Sequence, residues 1–248
     1  MTVALVHGIP ETAAVWRPLQ ACLGRESVAV TLPGFGAARP ADFAATKDAY
    51  AIALAETLAQ LDGPVDVVGH DLGALLTIRV ATAFDLPLRS WAVDVANVFH
   101  PDFVWSERVR RLQAPGVGEQ LMRTMRVATP SDPASTKARL VAAAVPEPLA
   151  AEIAAAHDET MSRCILDFYR SAIPNLAAEW WNQAGPTASR GLVLLLPDPP
   201  HDEEMSIDVA RRLGAPTTRL DHLNHCWMAE DPNLVGAALN AFWASLDS

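Results

Sequence analysis

The chain predicts an α/β fold: a mostly parallel sheet of about six strands with helices on both faces and one wholly helical insertion. Three observations carry the prediction. Short β-branched runs alternate with helical patterns along most of the 248 residues, as expected of a parallel sheet covered on both sides. One run, Val65 to Val68, leads into Gly69-His70-Asp71-Leu72-Gly73, after which small and apolar residues resume at helical spacing. From about Phe99 to Ala184 no strand pattern occurs, only helix-like segments punctuated by Pro115, Pro130, Pro133, Pro146, Pro148 and Pro174.

Taken in order, the expected strands are Thr2 to Val6, Ser27 to Leu32, Val65 to Val68, Ser90 to Val95, Leu192 to Leu196 and Thr217 to Leu220. Each is short, apolar and rich in Val, Leu, Ile or Thr, and turn residues bound most of them. The expected helices between them cover Ala14 to Leu23, Asp48 to Leu61, Leu72 to Phe84, Asp208 to Leu213 and Asn233 to Trp243. The core is therefore assigned to residues 1–97 and 185–248, with residues 98–184 as a helical cap.

Composition narrows the function. Half the residues are hydrophobic, 19% are charged and the formal net charge is −10, a balance that argues against nucleic acid or an anionic membrane as partner. A small, largely uncharged ligand is expected. Cys22, Cys164 and Cys226 are an odd set without metal or redox spacing, expected to be reduced, buried thiols. With no basic-then-apolar leader and no apolar run of about 18 residues or more, a cytoplasmic location is expected; the composition leaves the oligomeric state open.

Three constellations carry chemistry. The first is the turn at Asp71, where small residues at 69 and 73 let a strand turn sharply into a helix and leave the middle residue exposed at the strand's carboxyl end, as in a nucleophile elbow. A carboxylate there suits attack on carbon, giving an alkyl ester on the enzyme; by itself, an Asp at this place also reads as a helix cap. The second is His7-Gly8-Ile9-Pro10 after the first strand, where Gly8 permits close approach and the Ile9 amide, paired with that of Leu72, would form an oxyanion site. The third is the loop Asp221 to Pro232, in which His225 is the expected base; His222 and His201 compete with it.

HGIP, GHDLGA and the His-Cys-Trp loop together resemble the epoxide hydrolase and haloalkane or haloacid dehalogenase branch of the α/β-hydrolases. The resemblance spans the chain. Sheets of that family usually carry strands before the one leading to His-Gly, and this chain starts at that strand, so a trimmed sheet is expected. It implies that Asp71 attacks substrate carbon, that the Ile9 and Leu72 amides hold the oxyanion, and that His225 activates the hydrolytic water. The acid partnering His225 would be Asp94, at the end of an interior strand, or Asp198, in the commoner position, with Asp202 as a further competitor; Asp94 is preferred because burial of an unpartnered carboxylate is costly.

The same resemblance makes Tyr169, in Leu166-Asp167-Phe168-Tyr169-Arg170, the cap acid that protonates an opening epoxide. Arg111 stands where the family's second tyrosine is found. Leu72 and Leu75 stand where dehalogenases carry a halide-binding Trp or carboxylate-binding arginines. Asn97, Trp105, Trp180 and Trp181 remain as pocket or halide groups. The implied activity is hydrolysis of an apolar epoxide to a diol, with no metal and no organic cofactor. The alternatives are hydrolytic dehalogenation by the same Asp and a non-catalytic ligand receptor on this scaffold.

Overall fold

The computed structural model describes residues 2–197 and 202–247. Six parallel strands form one sheet: β1 (Val3–Val6), β2 (Ser27–Val30), β3 (Val65–Gly69), β4 (Leu88–Val93), β5 (Arg190–Leu195) and β6 (Thr217–Arg219), in the order β2-β1-β3-β4-β5-β6. The chain is an α/β protein, and each of the six expected strands is present. Their ends differ by a few residues; β4 stops at Val93, leaving Asp94 just beyond the strand.

The helices are α1 (Arg17–Gln20), α2 (Lys47–Ala59), α3 (Leu72–Ala83), α4 (Glu107–Gln113), α5 (Val117–Val127), α6 (Thr136–Ala142), α7 (Glu147–Ala156), α8 (Glu159–Ser171), α9 (Ala177–Trp180), α10 (Glu203–Leu213), α11 (Trp227–Glu230) and α12 (Pro232–Leu246). The first expected helix is broken into a 3-10 turn over Ala13–Trp16 and the single turn α1. Helix α10 begins at Glu203 rather than Asp208 because the Asp202 side chain accepts from the Met205 amide at 2.9 Å and starts the helix early. Among the described residues between β4 and β5, the regular structure is entirely helical, comprising α4 to α9 and two 3-10 turns.

Side chains alternate along each buried strand, and the two sets build two cores. Ala4 and Val6 face the core shared with Leu54 of α2, Leu76 of α3 and Val209 of α10. Val3 and Leu5 face the other, with Leu19 of α1, Trp227 of α11 and Leu239 of α12. Helices α4, α5 and α8 pack into the first core through Leu112, Met122, Ile165 and Phe168. Cys164 and Cys226 are buried as expected, whereas Cys22 is half-exposed, its thiol donating to Asn233. None of the described helices is long and apolar enough to cross a membrane.

Candidate active site

In the sheet, β1 and β3 are neighbours whose connections leave in opposite directions, toward β2 and β4. The loops beyond them part and open a crevice at the strands' carboxyl ends. Asp71 stands there, at φ 50° and ψ −117°, a sparsely populated conformation that costs about 1–3 kcal/mol and persists only when its surroundings enforce it. Its amide donates to Asp94 Oδ1 at 2.9 Å. Gly73 lets the turn close, because a Cβ there would collide with the Val6 carbonyl.

Asp71 does not cap α3: its carboxylate makes no hydrogen bond to that helix. Its Oδ1 accepts instead from the Ile9 amide at 3.0 Å. Gly8 makes this approach possible, since a Cβ at position 8 would strike Asp71 Cβ. On the other side, His225 Nε2 lies 3.6 Å from Asp71 Oδ2, with the two side chains 23% and 24% exposed.

Below them runs a buried chain of charge. His70 Nδ1 is 2.5 Å from Asp94 Oδ2 and its Nε2 is 3.1 Å from Glu11 Oε1, with all three side chains essentially inaccessible. Burial alone would lower the His70 pKa, but the Asp94 and Glu11 charges outweigh it and hold the ring protonated. Glu11, which burial would push up, is held down to about 2 mainly by His70. Its Oε2 also accepts from the Gly8 amide at 3.0 Å, so the ion chain braces the backbone that carries the Ile9 amide. Trp227 Nε1 donates to Asp94 Oδ2 at 2.7 Å.

His225 has the opposite electrostatics. Burial and the nearby His70 charge lower its pKa, against the pull of Asp71, Asp94 and Glu11. It is a neutral imidazole at neutral pH.

A cavity of about 370 Å³ joins these groups to the helical segment: Ile9, Asp71 and His225 line it from the sheet edge, Trp105, Arg108 and Tyr169 from α4, α8 and the chain before α4. Its volume is in the range of small-molecule sites. Tyr169 packs edge-on against Trp105, ring centroids 5.6 Å apart. Its hydroxyl makes no hydrogen bond to any described residue; Gln113 binds only its carbonyl. Burial and the Asp71 charge raise its pKa and keep it protonated.

Several expected residues stand elsewhere. Arg111 is exposed and does not line the cavity; Arg108, three residues earlier on α4, does. Asn97 is buried outside the cavity, its amide donating to Ser206 Oγ at 3.2 Å. Leu72 is buried in the first turn of α3. Trp105 lines the cavity, but its indole N–H donates to the Ala172 carbonyl, as that of Trp180 does to Asp48. His222 is exposed, and Asp202 is a helix cap. Asp198 and His201 lie outside the described residues.

The His70 and Glu11 pairing was not anticipated, although His70 sits inside one recognised motif and Glu11 directly follows the other. Glu11, His70 and Cys226 bring one potential metal-ligand atom each within 4.8 Å of one another. Those atoms already serve one another, and burial and the Glu11 charge push the Cys226 thiol up to about 12. A thiolate ligand is therefore disfavoured there.

Residues 3–238 match the family described as the alpha/beta hydrolase family. Among solved structures, a provisionally named epoxide hydrolase from Pseudomonas aeruginosa is 21% identical with a TM-score of 0.79, the alignment covering 99% of this chain and 89% of that one. A haloalkane dehalogenase loop variant from Bradyrhizobium elkanii is 17% identical with a TM-score of 0.75, covering 99% and 90%. At these identities the likeness is one of fold. No curated protein matches the sequence.

Proposed function

We infer that this chain, which belongs to the α/β-hydrolase family, opens an epoxide to a vicinal diol through a covalent ester on Asp71, with the helical segment before β5 acting as a cap. The observation that carries this reading is the pairing, in one cavity, of a carboxylate held for attack with a protonated phenol whose hydroxyl is unspent.

Asp71 Oδ2, on the His225 side, attacks an epoxide carbon; the carbon–oxygen bond breaks and the oxygen takes the Tyr169 proton. A base and a nucleophile held in one cavity supply the near-attack geometry. Neutral His225 then takes a proton from water, and the hydroxide adds to Asp71 Cγ. The Ile9 amide, 3.0 Å from Oδ1, stabilises the oxyanion as it forms, with the Leu72 amide as the second donor. Collapse releases the diol and restores the carboxylate; the His225 proton returns to the Tyr169 phenolate through solvent. Asp94, tied to His70 and to the Asp71 amide, is the acid we assign to the support of His225, with Asp198 as the competing choice.

Dehalogenation of a haloalkane or haloacid would use the same Asp71 and accords with the name of one structural neighbour. It fits less well, because the Trp105 and Trp180 indoles are committed to protein acceptors and a halide needs free donors. A receptor would bind ligand without turnover.

Intact mass of a His225→Gln variant exposed to epoxides and haloalkanes tests the reading, with Asp71→Asn as control. We expect a gain equal to one whole epoxide, absent from the control. A gain equal to haloalkane minus hydrogen halide supports dehalogenation. Ligand binding by wild type with no turnover, undisturbed in Asp71→Asn, supports the receptor.

A further inference from the structure

Arg108 on α4 and Arg139 on α6 both line the Asp71 cavity, and both line an outer basin that adjoins it past His225. Neither forms an ion pair with any described residue. Arg108 Nη2 rests 3.4 Å from Met125 Sδ, and Arg139 Nε donates to the Ala134 carbonyl at 3.4 Å. Each guanidinium has five N–H donors, so most are unspent. Among the described residues lining the basin there is no carboxylate; of the two lining the cavity, Glu11 is already bound to His70 and Asp71 is the nucleophile. The two arginines are close enough for the charge of Arg139, after burial, to lower the Arg108 pKa.

We propose that Arg108 and Arg139 form an anion subsite at the mouth of the cavity that holds a carboxylate of the substrate, whose apolar body reaches inward to Asp71. This rests on the reading of Asp71 as nucleophile toward an epoxide and extends it to a substrate class, epoxides of carboxylic acids. Charge balance selects a monoanion: one carboxylate together with Asp71 matches the two guanidinium charges, whereas a phosphate dianion exceeds them. Arginine forks bind carboxylates bidentately. In a protein of net charge −10, a carboxylate would otherwise be repelled at the entrance. The cavity lining also includes Val98, Leu112, Met122 and Ile165, which suit an apolar body.

Calorimetric titration of wild type with octanoate and with octanamide tests the subsite without requiring chemistry. Octanoate is expected to bind about tenfold tighter or more, the worth of one or two charged hydrogen bonds. The advantage should shrink as salt is raised toward about 1 M and collapse in Arg108→Gln and Arg139→Gln, with circular dichroism confirming that each variant folds. Equal binding, no binding of either, or an octanoate advantage that survives loss of both arginines would overturn the subsite. The wild-type comparison and its salt dependence decide the matter even if a variant fails to fold.

Turnover of a terminal-epoxide alkanoic acid against its methyl ester separates the two claims. A kcat/KM ratio favouring the acid, falling toward one in the arginine variants, supports both. Arginine-dependent octanoate binding with no diol from either compound removes the epoxide reading and leaves the subsite standing.

Discussion

His70 and His225 face each other with ring centroids 4.6 Å apart, and their protonation states are opposite. His70 lies between Asp94 and Glu11 and holds its proton. That charge, after burial, is the largest influence lowering the pKa of His225, so a structural cation keeps the proposed base neutral. Where ester hydrolysis limits turnover, the acid limb of kcat should therefore lie below pH 6.5. Replacing His70 with Asn removes the repelling charge and leaves the nearby carboxylates, so the limb should move to higher pH. An unmoved or lowered limb in the pH–rate profile would refute this coupling.

Tyr169→Phe removes a hydroxyl that has no hydrogen-bond partner among the described residues. Stability should change by no more than about 0.5 kcal/mol in denaturant unfolding, while kcat/KM for an epoxide should fall about 10²- to 10⁴-fold, the usual worth of a general acid. Unaltered turnover would reassign the acid.

Glu11→Ala leaves the charge on buried His70 half compensated and the Gly8 amide without its acceptor. Breaking one side of a buried ion chain costs roughly 3–5 kcal/mol. The sign with pH is definite: Glu11 has its pKa held down from 4.5 to about 2, so its contribution is complete above pH 4.5 and lost as pH falls toward 2. Urea unfolding should show a wild-type advantage over the variant that narrows across that window. A constant advantage would show that the carboxylate's charge is not its source.

His157 provides a separate acid-sensitive point away from the sheet. Its Nδ1 lies 2.6 Å from Thr136 Oγ1 and its Nε2 3.0 Å from Ser162 Oγ, linking α6 to α8. Burial, then the Arg126 charge, lower its pKa from 6.5 to about 4. Between those values the unfolded chain binds the proton and the folded one resists it, so stability is full above pH 6.5 and declines by about 3 kcal/mol toward pH 4. In His157→Gln the unfolding free energy should be lower at neutral pH but flatter over this range. Parallel pH profiles for the two proteins would contradict the assignment.

Much of the frame was legible because it rests on local pattern. Buried parallel strands are short β-branched runs, and the Asp71 turn needs small residues at 69 and 73 that are visible in any reading. What escaped depends on docking. Arg108, Arg110 and Arg111 share one short helix, and which of them meets the cavity is set by how α4 packs against α5 and α8, a rotation that composition does not encode. The Glu11–His70 pair joins residues 59 apart, and only the adjacency of β1 and β3 brings them together. Asp202 stood as a competitor for the catalytic acid because its capping role depends on where α10 begins.

Covalent catalysis on this scaffold requires that Asp71 become an ester. Wild-type enzyme turning over an epoxide many times in water enriched in heavy oxygen tests it most directly, followed by mass analysis of the peptide containing Asp71. Because the hydrolytic water adds to Asp71 Cγ, heavy oxygen is expected in the Asp71 carboxylate, with a first-turnover diol whose new oxygen came from the protein. An unlabelled Asp71 with heavy oxygen in the diol from the first turnover would mean that water attacks the epoxide directly, and would contradict it.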